Sequence, residues 1–142
     1  MVSYDFPLVM IEIVDGRSER GLMDSIFARY REECGPDVNV AFDYDSVLIA
    51  ADCGEPLGMI CYDKGDEYKV GILYVLDDAP EGIIQRLLSA VISYAQFQGA
   101  SGVVIQALDP KDSYNSVCRG MGFSEMSACA QRTGVINLRK RF

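Results

Sequence analysis

Residues 68–108 read YKVGILYVLDDAPEGIIQRLLSAVISYAQFQGASGVVIQAL, and this stretch decides the fold. Residues 68–76 are mainly apolar and are predicted to form a strand. After an acidic turn, residues 83–98 carry apolar side chains at helical spacing, and Gly99 ends the predicted helix. The buried face of this helix is predicted to consist of Leu87, Ala90, Val91, Tyr94 and Ala95. Residues 103–108 contain few polar side chains, which is typical of a strand buried on both faces of a sheet.

This strand–helix–strand unit constrains the rest of the sheet, because a right-handed crossover makes its two strands parallel. Upstream, residues 47–51 and 57–62 flank Cys53-Gly54-Glu55-Pro56, a turn that predicts an antiparallel hairpin. The other predicted elements are a strand at 8–14, a helix ending at Gly35-Pro36, a short helix at 113–119 and two last strands at 125–132 and 135–141. The pattern predicts a mixed α/β (α+β) fold in which most strand pairs are antiparallel, built as a single domain over residues 1–142.

The composition excludes several classes of site. Hydrophobic residues make up 49% of the chain and charged residues 24%, so a packed globular core is expected. The absence of histidine removes Ser-His and Cys-His nucleophiles and most transition-metal sites. The five cysteines are odd in number and widely spaced, which argues against a disulfide framework or a zinc site. No metal site is therefore predicted.

The charge and the apolar runs indicate the kind of environment and partner. A formal net charge of −8 repels phosphate backbones, so we expect no nucleic-acid binding. The apolar stretches are too short to span a bilayer, and the first residues lack the basic start of a secretory signal. We therefore expect a cytoplasmic protein without membrane association, and the acidic balance favours cationic partners.

The order of these elements resembles that of the GNAT (GCN5-related N-acetyltransferase) superfamily over nearly the whole chain. Leu73-Tyr74-Val75, Gly82-Ile83, Leu87-Leu88, Ala95 and Gly99 are similar to the family's run from the central strand, through the pyrophosphate loop, into the next helix. Gly122-Phe123 after a short helix and the last strand ending at Phe142 add to the likeness. The resemblance implies a mostly antiparallel sheet with a central crossover, helices on both faces and acetyl-CoA as the acyl donor.

The pyrophosphate loop departs from the family pattern Gln/Arg-x-x-Gly-x-Gly/Ala. The corresponding residues are Ala79-Pro80-Glu81-Gly82-Ile83-Ile84, so Gly82 alone is kept and carboxylates stand nearby. Such carboxylates also stabilise a helix start without any ligand. The resemblance implies the following cofactor contacts: Val75 and Leu76 for the pantetheine arm, the amides of Gly82, Ile83, Ile84 and Gln85 for the pyrophosphate, and Arg86 as the nearest cation.

The catalytic acid is the other altered position. In the family a tyrosine four residues before the Gly-Phe pair protonates the departing thiolate, and here that position is Cys118. Tyr114 lies one turn earlier on the same predicted helix face and is the alternative acid. A general base is left open among Glu67, Asp63 and the carboxylates of the 37–45 loop, because no glutamate occupies the middle of the central strand.

Two functions follow from this resemblance. The first is an acetyl-CoA-dependent N-acetyltransferase that acts on a small-molecule or peptide amine. The acidic loop residues Asp37, Asp43 and Asp45 would favour a cationic amine. The alternative is a catalytically inactive GNAT-like domain with a binding or regulatory role and no acetyl-CoA binding. A homodimer that pairs strand edges is compatible with either function.

Overall fold

A mixed seven-stranded sheet organises the computed structural model, which describes residues 11–34, 44–108, 113–126 and 136–142. The strands are β1 Ile11–Asp15, β2 Ser46–Asp52, β3 Glu55–Asp63, β4 Glu67–Val75, β5 Gly102–Leu108, β6 Ser124–Glu125 and β7 Ile136–Arg141. The helices are α1 Arg20–Cys34, α2 Ile83–Phe97 and α3 Ser113–Gly120. The strand order is β1-β2-β3-β4-β5-β7-β6, and β4–β5 is the parallel pair among these strands. The predicted fold class is therefore confirmed.

The predicted central crossover is also confirmed, because α2 connects the parallel strands β4 and β5. Gly99 has a φ of +80° and follows the last turn of α2, where its N–H donates to Gln96 at 3.1 Å. A left-handed glycine at this position is a common way to end a helix. Parts of two predicted strands, 8–10 and 127–132, and most of the 37–45 loop lie outside the described residues.

The sheet separates two hydrophobic cores, one on each face. The first contains the buried face of α2 together with Cys118 and Phe123, which belong to α3 and the segment after it. The second contains Met23, Ile26 and Phe27 of α1. Burying a side chain of this size contributes about 1.5–3 kcal/mol relative to leaving it exposed. Helices on both faces are thus held to the sheet mainly by apolar burial.

The helix α2 confirms most of its predicted buried face. Leu87, Val91 and Ala95 are fully buried, Ala90 is partly buried against the same core, and Tyr94 is half exposed. Tyr94 was predicted to be buried, but it lies near the end of α2 beside a cavity. In the described ranges no helix combines the length and the apolar character that a membrane span requires.

Candidate functional site

A bulge in β4 opens the sheet at its centre. On the β3 side, Cys61 pairs with Ile72 and Tyr62 pairs with Val70, so Gly71 is the extra residue of β4. The parallel pairing with β5 ends at Val70, although β4 itself continues to Val75. The end of β4 therefore has no β5 partner in the register of the described strands. Such bulges bend a strand and interrupt its ladder, which accounts for this opening between β4 and β5.

The side chain of Tyr44 explains why a glycine occupies the bulge. A Cβ atom on Gly71 would overlap the Tyr44 hydroxyl and lie 2.5 Å from two atoms of its ring. Tyr44 is held in turn at its carbonyl oxygen, which accepts a hydrogen bond from the Arg17 guanidinium. The segment before β2 thus packs directly on the bulge, on the face of the sheet that α1 covers.

The main chain of Val75 points towards the opening. Leu76 donates its N–H to the Leu57 carbonyl at 2.9 Å, so Leu76 is bonded to the β3 side. Because main-chain groups alternate in direction along a strand, Val75 and Leu73 direct theirs towards the β5 side. Of the two predicted pantetheine contacts, Val75 is placed to offer main-chain groups there and Leu76 is not. Sequence reasoning missed Leu73, which the same alternation would have identified.

Tyr114 of α3 reaches the same point of the opening. Its hydroxyl accepts a hydrogen bond from the Val75 N–H at 3.0 Å and lies 3.4 Å from the Val75 carbonyl oxygen. The other predicted acid, Cys118, lies one turn later, where its side chain is fully buried in the core. The structure therefore brings the Tyr114 hydroxyl, and not the Cys118 thiol, to the polar edge of β4.

The first turn of α2 begins beside the end of β4. Gly82 is its N-cap with a φ of +93°, and it has no side chain to accept hydrogen bonds from the amides that follow. The Arg86 N–H closes the first turn by donating to Gly82 at 3.1 Å. The amides of Ile83, Ile84 and Gln85 precede that bond and have no acceptor within the helix. These amides, with the helix dipole, form the kind of site that binds anions.

The two bulky residues of this turn pack against the core. Ile83 is buried, and its Cγ2 atom would lie 3.3 Å from a Cβ on Gly58 of β3. Ile84 is partly buried against the same cluster. The carboxylates of Asp77, Asp78 and Glu81 belong to exposed residues. The turn therefore offers main-chain N–H donors, and the residues just before it carry carboxylates.

The side chain of Arg86 is directed to the sheet. Its guanidinium donates to the Ile11 carbonyl of β1 at 2.9 Å, and the contact is partly buried. This bond anchors the first turn of α2 over the edge of the sheet. The positive charge nearest to the turn is thus held by β1.

The family-like Gly122-Phe123 pair has a clear structural role. Gly122 has a φ of +97° after the end of α3, and a Cβ there would lie 2.6 Å from the Lys140 ammonium nitrogen. That nitrogen donates to the Met121 carbonyl at 2.9 Å. Phe123 is buried in the core beside α3. The pair therefore ends α3 and fixes its position against β7.

Three of the candidate general bases lie at the other end of β4, namely Glu67, Asp63 and Asp45, whereas Asp37 and Asp43 lie outside the described residues. Glu67, the first residue of β4, forms an ion pair with Arg139 at 2.7 Å. Asp63 accepts a hydrogen bond from the Asp45 N–H at 2.9 Å, at the end of β3 that faces the start of β4. From Glu67 to Val75 the strand spans roughly 25 Å. These groups are therefore far from the Val75 main chain.

No group of carboxylates and cysteines within the described ranges could hold a metal ion. The arrangement at the opening consists of main-chain polar groups, one phenol and a helix start. These groups can bind and orient a ligand with amide and phosphate groups, and the phenol can donate or accept a proton.

Comparison with known proteins shows a clear structural likeness. No protein-family model matches the chain, and no curated protein matches its sequence. The fold is similar to Arabidopsis thaliana Naa50 bound to the bisubstrate analogue CoA-Ac-MVNAL, with 14% identity, a TM-score of 0.73 and coverage of 94% of this chain and 99% of that chain. An acetyltransferase of the GNAT family from Staphylococcus aureus Mu50 gives 14% identity, a TM-score of 0.70 and coverage of 92% and 98%.

A third neighbour is N-acetylglutamate synthase from Neisseria gonorrhoeae, complexed with coenzyme A and N-acetyl-glutamate. It is 15% identical, with a TM-score of 0.69, and the match covers 98% of this chain and 36% of that longer chain. At these identities the likeness is one of architecture, and it covers at least 92% of this chain in all three comparisons. The chain therefore has the GNAT fold.

Proposed function

We propose that the protein is an acetyl-CoA-dependent N-acetyltransferase. One observation carries this proposal: the opening between β4 and β5 directs the Val75 main chain and the Tyr114 hydroxyl to one point, next to the start of α2. Several neighbours with this architecture have coenzyme A or a coenzyme A conjugate bound. The residues at the opening fit such a donor through main-chain groups, which do not depend on the altered loop sequence.

The donor would be held mainly by the backbone. The N–H and C=O of Val75 would pair with the pantetheine amides, and the amides of Gly82, Ile83, Ile84 and Gln85 would hold the pyrophosphate. Bound acetyl-CoA supplies an activated acetyl group. Arg86 acts as a positioning residue, because its bond to β1 fixes the first turn of α2.

Tyr114 is our candidate for the acid that protonates the departing thiolate. Its hydroxyl lies at the Val75 main chain, so it stands where the donor would be bound. Donor binding therefore replaces the Val75–Tyr114 hydrogen bond and leaves the phenol proton available for transfer. Cys118 stays the second candidate, but its fully buried thiol would need a rearrangement of α3 to reach the opening.

The acceptor is proposed to be an amine of a small molecule or a peptide. Two neighbours have a peptide-containing bisubstrate analogue and an acetylated amino acid bound, respectively. The net charge of −8 would attract a cationic acceptor through long-range steering. A homodimer formed through the sheet edges stays a prediction, and the molar mass in solution would test it.

A catalytically inactive binding or regulatory domain is the second candidate function. Two observations favour it: the exposed residues Asp77, Asp78 and Glu81 come directly before α2, and the Tyr114 hydroxyl already satisfies the Val75 N–H. Both features oppose the binding of a polyanionic donor. The two functions therefore differ first in whether acetyl-CoA binds.

Thermal unfolding with acetyl-CoA separates the two functions. A ligand at a hundred times its Kd stabilises a protein by about 2.7 kcal/mol, which gives a clear shift in Tm. We expect this shift for the wild type and its loss in Gly82→Ala, because a side chain is strained at a φ of +93°. Gly99→Ala is the matched control, since its φ of +80° imposes similar strain at the other end of α2.

The outcomes discriminate clearly. No shift in the wild type at millimolar acetyl-CoA would rule out the transferase. Equal losses of the shift in Gly82→Ala and Gly99→Ala would show that general destabilisation, not the helix start, is responsible. A normal shift without thiol release for any amine in a panel of alkylamines, amino acids and peptide N-termini would support the inactive binding domain.

A further inference from the structure

A polar cavity lies at the start of β4, at the opposite end of the sheet from Val75. Its volume is about 450 Å³, which is within the usual range for small-molecule sites. It is lined by the ends of β1 and β3, the starts of β2 and β4, and the last turns of α2. None of the residues assigned above to the acyl donor lines it. It is therefore separate from the proposed donor site.

Three tyrosines and a serine give this cavity its hydroxyl groups. The rings of Tyr62 and Tyr68 stack with centroids 5.7 Å apart and an interplanar angle of 19°. Tyr62 lies opposite Ser46 in the β2–β3 ladder, and the Ser46 side chain bonds to its hydroxyl. Tyr94 of α2, half exposed, adds a third ring. The hydroxyl oxygens can all accept hydrogen bonds.

Two carboxylates at the cavity are fixed by main-chain donors. Asp15 accepts the Arg17 N–H at 2.9 Å, and Asp45 accepts the Lys64 N–H at 3.0 Å. Each of these bonds uses one carboxylate oxygen and leaves the second oxygen with capacity for another donor. Because the bonds involve backbone amides, the two carboxylates are oriented before any ligand arrives.

Of the charged residues that line the cavity, Asp15 acts on the Tyr62 hydroxyl. Burial is the main cause that raises the pKa of Tyr62; the Ser46 hydrogen bond lowers it, and electrostatic interactions with Tyr68, Tyr94 and Asp15 raise it further. Arg17 also lines the cavity, but its guanidinium donates to the Tyr44 carbonyl, and its charge acts on Cys61. Lys64 is exposed at the turn between β3 and β4. A cation next to Tyr62 would therefore meet the Asp15 carboxylate and the hydroxyl groups of the cavity.

We propose that this cavity binds the primary ammonium group of a small alkylamine. Such a group has three donors and one positive charge, which match the two oriented carboxylates and the tyrosine hydroxyls. The site would be a second, non-catalytic amine site, and it stands independently of the proposed acetyl transfer. Lys64 competes with the ligand for the carboxylates, so its removal strengthens binding.

NMR titration of the tyrosine rings with n-butylammonium tests the site directly. We expect saturable shifts of the Tyr62, Tyr68 and Tyr94 resonances, and no such shifts with n-butanol, which replaces the ammonium by a neutral hydroxyl. Asp15→Asn is expected to raise the Kd about tenfold, as for the loss of one charged hydrogen bond. Lys64→Met is expected to lower it about twofold, because exposed charge pairs are weak.

The control is Asp77→Asn, an exposed carboxylate at the other end of the sheet, which is expected to leave the Kd unchanged. The proposal is overturned if n-butanol gives the same shifts, if no saturation occurs, or if Asp15→Asn and Asp77→Asn weaken binding equally. It is also overturned if the ammonium shifts the Tyr114 resonances instead, since that would place the amine at the β4–β5 opening. The acetyl-CoA shift in Tm is a separate readout, so the two proposals fail independently.

Discussion

The two ends of β4 form sites by different means. At its start, β4 is paired with β5, and a cavity there is lined by side chains such as Tyr62, Tyr68 and Asp15. At its end, the pairing with β5 is lost, and the polar groups are the Val75 main chain and the first amides of α2. The hydroxyl of Tyr114 adds a side-chain group to these main-chain groups at the end of β4.

This difference determines how each end responds to sequence change. A site made of main-chain groups survives substitutions that keep the backbone path, so the altered loop around Gly82 need not destroy it. A site made of side chains depends on the identity of each residue. Mutations that alter the backbone should therefore affect the end of β4, and conservative side-chain changes should affect its start, with Tyr114 as the exception.

Removing the Tyr114 hydroxyl tests that exception and has the largest expected effect. If the phenol is the acid, Tyr114→Phe should lower kcat by about 10²–10⁴-fold, because general acid catalysis contributes that much. Acetyl-CoA should still raise the Tm, since the Val75 main chain remains. The measurement is thiol release at saturating donor and amine.

Two variants serve as comparisons for Tyr114→Phe. Tyr62→Phe makes the same chemical change in β3, at the cavity beside the start of β4, and should leave kcat unchanged. Cys118→Ala removes the alternative acid and should also leave kcat unchanged, although it costs stability in the core. A large loss of kcat in Cys118→Ala, with normal turnover in Tyr114→Phe, would transfer the acid role to the thiol.

Placing a side chain on the bulge should disturb the structure between the two ends. Gly71→Ala forces the Tyr44 ring away from β4 and is expected to destabilise the fold by about 1–3 kcal/mol, as for other overpacked sites. Urea unfolding followed by circular dichroism gives the free energy. If Tyr44 is the cause, Tyr44→Ala combined with Gly71→Ala should cost less than the sum of the two single changes.

The control for Gly71→Ala is Gly21→Ala in α1. A Cβ on Gly21 meets no atom within 4 Å, so this change should stabilise the helix by about 0.5–1 kcal/mol. Equal effects of the two substitutions would contradict a steric role for Tyr44. Additive effects of Gly71→Ala and Tyr44→Ala would contradict it as well.

The sequence predicted the fold because periodicity and turns are local. The helical spacing of Leu87, Val91 and Ala95 and the glycine after them are visible without any knowledge of neighbours. The bulge was not predicted, because Gly71 lies in an apolar run, and the reason for the glycine is Tyr44, distant in sequence. Such long-range contacts leave no signal in the local pattern.

The site was predicted less completely than the fold for the same reason. Val75 followed from the resemblance, whereas the direction of its main chain depends on the bulge and on pairing with β3. The resemblance placed Cys118 at the position of the acid, with Tyr114 one turn earlier as the alternative, and only packing distinguishes a buried thiol from a phenol at the opening. The contact of Arg86 with β1 likewise depends on how α2 lies over the sheet.

The pH dependence of stability tests whether water is excluded from the hydrophobic core between the sheet and α1, next to the bulge in β4. Cys61 pairs with Ile72 next to the bulge, and burial raises the pKa of its thiol from 9.0 to about 12, while Arg17 lowers it. In the unfolded chain this thiol ionises near its ordinary pKa, so the unfolded state releases a proton that the folded state keeps. The stability from this group is therefore complete below pH 9 and is lost as the pH rises towards 12.

Urea unfolding at about pH 8 and about pH 10 measures this loss, which approaches about 1.4 kcal/mol per pH unit for one group. Cys61→Ala should remove that share of the pH dependence, whereas Cys53→Ala should remove a smaller share, because at its exposed turn the hydrogen bond with Asp52 raises the pKa of that thiol less than burial raises that of Cys61. Identical pH profiles for the wild type and Cys61→Ala would mean that water reaches the thiol from the bulge. In that case the opening at the end of β4 would extend through the sheet, and the two ends would not be independent.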